Sequence, residues 1–241
     1  MIGAVTLSPA STGITVVGLD GDDTLWHSEV YFDRTQRRYV EIVSRYVDDD
    51  VDVMAGLAEV EHRNLGRYGY GIKGFVLSMI ETAIDLTGGA ISAHEIDELM
   101  TAGRTMLEHP VDLLDGVETA ITEMADAGYR LVLVTKGDLN HQERKILASG
   151  LSDRFERLEI VAEKDPATYR RVVSSMGVDA GEFCMVGNSV RSDVLPVLAI
   201  GGRAVHVPYE ITWSLEHADH DGTVPTLTTL AELPGWLAGT A

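Results

Sequence analysis

The chain has 241 residues, 45% hydrophobic and 24% charged, with 7 Pro and one Cys. That composition excludes a short peptide module, a disordered chain and a disulfide-stapled scaffold, and it supplies enough apolar residues for a sizeable core. The 19 Lys and Arg against 38 Asp and Glu leave a net charge of −19, a field that repels polyanions and argues against nucleic acid as a partner.

In chain order, the first buried strand is expected at Ile14 to Leu19, and it runs directly into Asp20-Gly21-Asp22-Asp23-Thr24-Leu25. From His27 to about Val111 no strand is legible. Helical patterns recur near 28–46, 52–66, 74–86 and 92–107, so this interval reads as an inserted helical domain. Its one interruption is Tyr68-Gly69-Tyr70-Gly71-Ile72-Lys73-Gly74, where three glycines oppose a regular helix and display Tyr68, Tyr70 and Lys73 as candidate substrate contacts.

After the insertion, strand and helix alternate. Gly116 to Ala127 repeats its apolar residues at helical spacing, and strands are expected at Arg130 to Val134, Phe155 to Val161, Phe183 to Val186 and Arg203 to Val207. Asp165 and Pro166 supply an N-cap and a first helical position for a helix ending near Gly177. Such alternation implies right-handed crossovers and a parallel sheet covered on both faces. A last helix is expected from about Thr229 to Leu237. His217 and His220 are the one close histidine pair, in an acidic stretch that reads as a solvated loop, so no zinc site is assigned. Cys184 lies inside an apolar run and reads as a buried structural thiol, in keeping with a reducing cytoplasm. The first basic residue is Arg34, and no apolar run approaches the ~20 residues needed to span a bilayer. The expectation is a cytoplasmic protein without a membrane partner, a monomer or homodimer.

Ligands of an open parallel sheet bind beyond the carboxyl ends of its strands, and polar residues accumulate there. Asp20 and Asp22 follow the first strand; Thr135, Lys136 and Gly137 follow the second; Lys164 follows the third; Asn188 and, further on, Asp193 follow the fourth. Each type has a part in phosphoryl transfer. A carboxylate can attack phosphorus and split one displacement into two easier ones, but its charge repels a phosphate dianion. Mg²⁺ held by carboxylate and amide oxygens from the first and fourth strands would cancel that repulsion. Lys164 would add a fixed cation, and Thr135 with the backbone N–H groups of Lys136 and Gly137 would hold the equatorial oxygens. Asp22 can give a proton to the leaving oxygen and later take one from water, a role worth about 10²- to 10⁴-fold.

At these residues the chain resembles the haloacid dehalogenase superfamily, most closely its capped, metal-dependent phosphatases. Asp20-Gly21-Asp22-Asp23-Thr24-Leu25 looks like the family's nucleophile loop, Thr135 its second motif, Lys164 its third, and Gly187-Asn188-Ser189-Val190-Arg191-Ser192-Asp193 its fourth. The resemblance implies a three-layer α/β core over 1–26 and 113–241 with a helical cap over 27–112. It also implies an Mg²⁺-dependent phosphatase acting on a small phosphorylated metabolite. Asp20 would be nucleophile and metal ligand. Asp22 would be acid/base and lend its backbone carbonyl to the metal, and Thr135 and Lys164 would position the phosphoryl group. The fourth motif commonly has an aspartate right after its glycine, where this chain has Asn188, so Asn188 and Asp193 both stand as metal candidates. An acid at Asp22 argues for phosphate over halide displacement. A phosphomutase shares all four motifs, a phosphonatase would use a cap lysine such as Lys73, and a receiver-like phospho-acceptor would be shorter and differently ordered.

Overall fold

The computed structural model describes residues 12–213, 216, 218 and 222–239; His217 and His220 lie outside them. The five apolar runs form β1 Val16–Leu19, β2 Arg130–Lys136, β3 Arg157–Val161, β4 Phe183–Gly187 and β5 Arg203–His206. They make one sheet in the order β3-β2-β1-β4-β5, every neighbouring pair parallel. The strand that comes first in sequence therefore lies in the middle, and the chain order reverses on either side of it, the place at whose carboxyl edge ligands of open parallel sheets bind. Leu19 is level with Leu133 of β2 and Val186 of β4, so Asp20 emerges between the ends of both neighbours.

All four residues of β1 and all five of β4 are buried, which is why these strands read as unbroken apolar runs rather than alternations. The two faces are covered separately. Val17, Leu19, Leu133, Cys184 and Val186 pack with Val117, Ile121 and Met124 of α5 (Val117–Asp126) and with Leu233 and Leu237 of the C-terminal helix (Leu233–Leu237). Val16, Val132, Val134 and Met185 pack on the other face with Tyr169, Val172 and Met176 of α7 (Pro166–Met176). Each such side chain contributes about 1.5–3 kcal/mol when fully buried, and the result is a three-layer α/β fold. As the sequence predicts, Asp165 caps α7 by accepting from the Thr168 N–H at 2.7 Å, and Gly177 ends it at φ 68°.

Three local features differ from expectation. The helix α6, Leu139–Ala148, was not legible because its buried stripe consists of only Gln142 and Ile146. The fourth motif continues as a single π-helical turn, Val190–Val194, before α8 at Leu195–Leu198. The tail helix is shorter than 229–237, beginning with a 3₁₀ turn at Leu230–Glu232.

By its internal contacts the chain divides into two compact units. One comprises Met1–His27, Val111–Lys136 and Gln142–Ala241; the other comprises Ser28–Pro110 with Gly137–His141. The second holds α1 Glu29–Val43, α2 Val53–Tyr68, α3 Ile72–Leu86 and α4 Ala93–Glu108, packed round its own core of Tyr39, Ile42, Leu57, Phe75, Met79 and Leu99. Its glycine-rich interruption is narrower than the sequence suggests, since only residues 69–71 break the helices. Gly74 lies inside α3 because a Cβ there would come within 2.9 Å of the Gly69 carbonyl oxygen. Among the described residues, no helix is long and apolar enough to cross a membrane.

Candidate active site

The loop after β1 is a tight turn in which the N–H groups of Thr24, Leu25 and Trp26 all point at the Gly21 carbonyl oxygen, at 2.8–3.3 Å. Asp23 takes φ +60°, the one non-glycine left-handed backbone among the described residues, a conformation that costs about 1–2 kcal/mol and is kept where the surroundings over-determine it. Gly21 is required by space: a Cβ there would lie 2.7 Å from the Trp26 ring and 3.1 Å from Thr135 Oγ1. The turn thus presents the side chains of Asp20 and Asp22 at the sheet edge beside the end of β2.

Asp20 faces a buried lysine. Lys164 Nζ donates to Asp20 Oδ1 at 2.5 Å and to Asp193 Oδ1 at 2.6 Å, and all three residues are at most 6% exposed. Asp193 reaches this position by folding back on β4, and only glycine at 187 leaves room, since a Cβ there would meet Asp193 Oδ2 at 2.2 Å. Its other oxygen accepts from the Ser189 N–H at 3.0 Å. Burial, and then the Asp193 charge, push the Asp20 carboxyl up to about 8 against the pull of Lys164. Burial alone would lower the lysine, but Asp193 and Asp20 overcome it and hold the ammonium above its ordinary range.

The fourth motif meets the first through Thr24 and Asn188. The Asn188 N–H donates to Thr24 Oγ1 at 3.1 Å. The end of the Asn188 amide that faces the loop lies 3.2 Å from the Asp22 carbonyl oxygen and 3.2 Å from Asp20 Oδ2. With nitrogen at that end, the amide donates to both. With oxygen there, three oxygens from three chain positions converge, which a cation among them would stabilise. Octahedral Mg²⁺ bound at about 2.1 Å sets neighbouring oxygens about 3 Å apart, so these groups fit Mg²⁺. The set mixes a carboxylate, a carbonyl and an amide; among the described residues no three His, Cys, Asp or Glu side chains group as metal ligands. The metal candidates separate accordingly: Asp20, the Asp22 carbonyl and Asn188 converge, whereas both oxygens of Asp193 are taken by Lys164 and Ser189.

Asp22's side chain turns elsewhere. Its Oδ1 accepts from Trp26 Nε1 at 2.6 Å and from Lys145 Nζ, and its Oδ2 accepts from Gln142 Nε2 at 3.0 Å. Burial would raise this carboxyl, but Lys145 together with the Trp26 and Gln142 donors outweighs it and holds it below its ordinary range. Gln142 Nε2 also lies 3.0 Å from Thr135 Oγ1 and 2.8 Å from the Lys136 carbonyl oxygen, tying the first motif to the second. The Lys136 ammonium is itself engaged, donating to Glu216 Oε1 at 2.6 Å and Ser192 Oγ at 3.1 Å. Glu216 Oε2 in turn accepts from Ser189 Oγ and Ser192 Oγ, each at 2.5 Å.

The profile of haloacid dehalogenase-like hydrolases matches residues 14–201, from the first strand past the fourth motif. The chain belongs to the haloacid dehalogenase-like hydrolase family. A haloacid dehalogenase-like hydrolase from Xanthomonas campestris shares 45% identity and superposes with a TM-score of 0.82, the match covering 94% of this chain and 91% of that one. Two curated phosphatases are similar over shorter spans. Glyceraldehyde 3-phosphate phosphatase of Pyrococcus abyssi is 29% identical over 39% of this chain and 42% of its own length. Phosphoserine phosphatase of Thermus thermophilus is 30% identical over 52% of this chain and 51% of its own. The matches thus span about half the length of these curated relatives or less.

In this haloacid dehalogenase-like hydrolase, Asp20, Asp22, Thr135, Lys136, Lys164, Asn188 and Asp193 all lie in the α/β unit, while Tyr68, Tyr70, Lys73 and Gly137 belong to the helical unit. Lys73 is not a free amine, since its Nζ lies 2.9 Å from Asp138 Oδ1. Sequence reasoning missed Gln142, Lys145 and Glu216. The first two had a signal in their i,i+3 spacing, which places both on one side of a helix directly after the second motif. Glu216 had none, being one acid among many in the sequence.

Proposed function

We propose that the chain is an Mg²⁺-dependent phosphatase that hydrolyses a small phosphorylated metabolite through an aspartyl-phosphate on Asp20. The observation that carries this reading is the convergence of Asp20 Oδ2, the Asp22 carbonyl and the Asn188 amide beside the buried Lys164. Asp20, the Asp22 carbonyl and Asn188 would hold Mg²⁺, which would neutralise charge between carboxylate and phosphate. Asp193 serves by fixing Lys164, not by touching the metal. Lys164 keeps a cation beside the nucleophile at every pH of interest, and Thr135 with the backbone N–H groups that follow it receives the equatorial oxygens. Asp20 attacks phosphorus as the leaving oxygen departs with a proton from Asp22, and water then cleaves the acyl phosphate with Asp22 as base. The curated phosphatases support a small phosphorylated metabolite as the substrate class. Tyr68, Tyr70 and Lys73 are the proposed selectivity residues of a helical cap.

The test is hydrolysis of an aryl phosphate and of a panel of sugar, amino-acid and nucleotide phosphates, with and without Mg²⁺. Activity is expected with Mg²⁺ and lost in EDTA and in Asp20→Asn. Turnover that persists in EDTA or in Asp20→Asn would overturn the mechanism, and a rearranged rather than hydrolysed product would make the enzyme a mutase.

A further inference from the structure

Asp22 is held by more donors than a mobile acid/base needs, and the donors divide unequally between its two oxygens. Oδ1 receives Trp26 Nε1 at 2.6 Å and Lys145 Nζ, a charge-assisted bond. Trp26 is 1% exposed and Lys145's side chain 13%, so neither moves without disturbing the core. Among the described residues Oδ2 receives only Gln142 Nε2, and that amide faces three acceptors: Asp22 Oδ2 at 3.0 Å, Thr135 Oγ1 at 3.0 Å and the Lys136 carbonyl at 2.8 Å. An amide nitrogen carries two hydrogens, so one of the three acceptors is always surplus. The bond to Oδ2 can therefore be given up while Gln142 stays satisfied; the bonds to Oδ1 have no such substitute.

Resting on the reading above, we propose that Lys145 is a positioning residue: with Trp26 it clamps Asp22 by Oδ1, so that Oδ2 is the oxygen that exchanges a proton with the reacting groups. In the first step the Oδ2–H proton passes to the leaving oxygen as its bond to phosphorus breaks. In the second, Oδ2 takes one proton from the water that attacks the aspartyl-phosphate, which restores the acid. Lys145 gives and takes no proton in either step; its charge favours the ionised Asp22, and its contribution is to geometry. It restricts rotation of the carboxylate, and near-attack geometry of this kind is lost on displacements of about 1 Å.

A double-mutant cycle separates this role from the alternatives. Lys145→Met is expected to lower kcat about 10- to 100-fold, less than the about 10²- to 10⁴-fold of a general acid/base itself, with KM changed less than about threefold. The loss should be larger for an alkyl phosphate, whose leaving oxygen needs the proton, than for p-nitrophenyl phosphate. Lys145→Arg should recover most of the activity, and Lys145→Met should add nothing in an Asp22→Asn background. Circular dichroism and melting curves of all variants verify folding, and Lys145→Gln serves if the methionine variant does not fold. An equal loss in the Asp22→Asn background, a rise in KM alone, or no loss at all would each overturn the proposal. Failure of the phosphatase reading would appear separately, as wild-type protein without Mg²⁺-dependent turnover.

Discussion

Two carboxylates two residues apart, on one loop, occupy opposite environments. Around Asp20 the surroundings are dry and crowded: a second carboxylate, Asp193, shares the single Lys164 ammonium, and burial with that like charge raises Asp20 to about 8. Around Asp22, whose side chain is 29% exposed, the indole, amide and ammonium donors outnumber the oxygens, and the carboxyl is held below its ordinary range. The lesson is that, for the roles proposed, the pair is poised the wrong way round, and a cation would correct only the Asp20 half. In the proposed mechanism Asp20 must be ionised and Asp22 must carry a proton, and Mg²⁺ where Asp20, the Asp22 carbonyl and the Asn188 amide converge would supply the missing charge beside Asp20.

The largest effect that would break this comparison is loss of the proposed nucleophile. Asp20→Asn should lower kcat by at least about 10³-fold. Above about pH 8, where the Asp20 carboxyl loses its proton, the same substitution should raise stability by roughly 1 kcal/mol or more, because it removes the charge that repels Asp193 while Lys164 keeps one partner. Steady-state kinetics and urea unfolding check the two halves, and a stability loss would show that the two carboxylates do not compete. Next comes Lys164→Met, which leaves two buried carboxylates without a cation; a cost of about 3–5 kcal/mol is expected, together with loss of turnover.

The pH dependence sharpens the contrast. Asp20's carboxyl binds its proton more tightly folded than unfolded, so that contribution to stability is full below its ordinary 3.8 and is lost as pH rises through about 8. Asp22 has the opposite sign, its contribution being present above 3.8 and lost as pH falls through its lowered value. Mg²⁺ should therefore raise Tm more at about pH 8.5, where it displaces no proton, than at about pH 5.5. The difference should vanish in Asp20→Asn, and differential scanning calorimetry at both pH values measures it. The smallest effect is expected for Asn188→Asp, where a charged ligand replaces a neutral one and should tighten Mg²⁺ by about tenfold, since ligand charge sets affinity at such sites. Titration calorimetry would show this, and weaker binding would move the metal away from Asn188.

Much of the fold was legible because a doubly covered parallel sheet makes each central strand an unbroken apolar run, as in Val16–Leu19 and Phe183–Gly187. Candidate site residues at the ends of those runs were legible for the same reason, since a strand end fixes where its next side chain emerges: Asp20 and Asn188 directly follow β1 and β4, while Thr135, expected just past its strand, lies in the last residues of β2. Gln142 and Lys145 were missed: their i,i+3 spacing puts them on one side of a helix, but two buried positions give too weak a periodicity to show where that side faces. The environments that set Asp20 and Asp22 apart were equally hidden, as both are aspartates in the same turn.

The order of strands and helices, the edge on which chemistry gathers and the residue types gathered there follow from sequence alone, because local apolar patterning and strand-end placement are short-range properties. Tertiary structure decided which oxygens meet across 164 or more positions of chain, as Thr24 and Asn188 do, and which carboxylate Lys164 and Lys145 each serve. Charge interactions depend on distance in space and on burial, and neither is written in the spacing of residues along a chain.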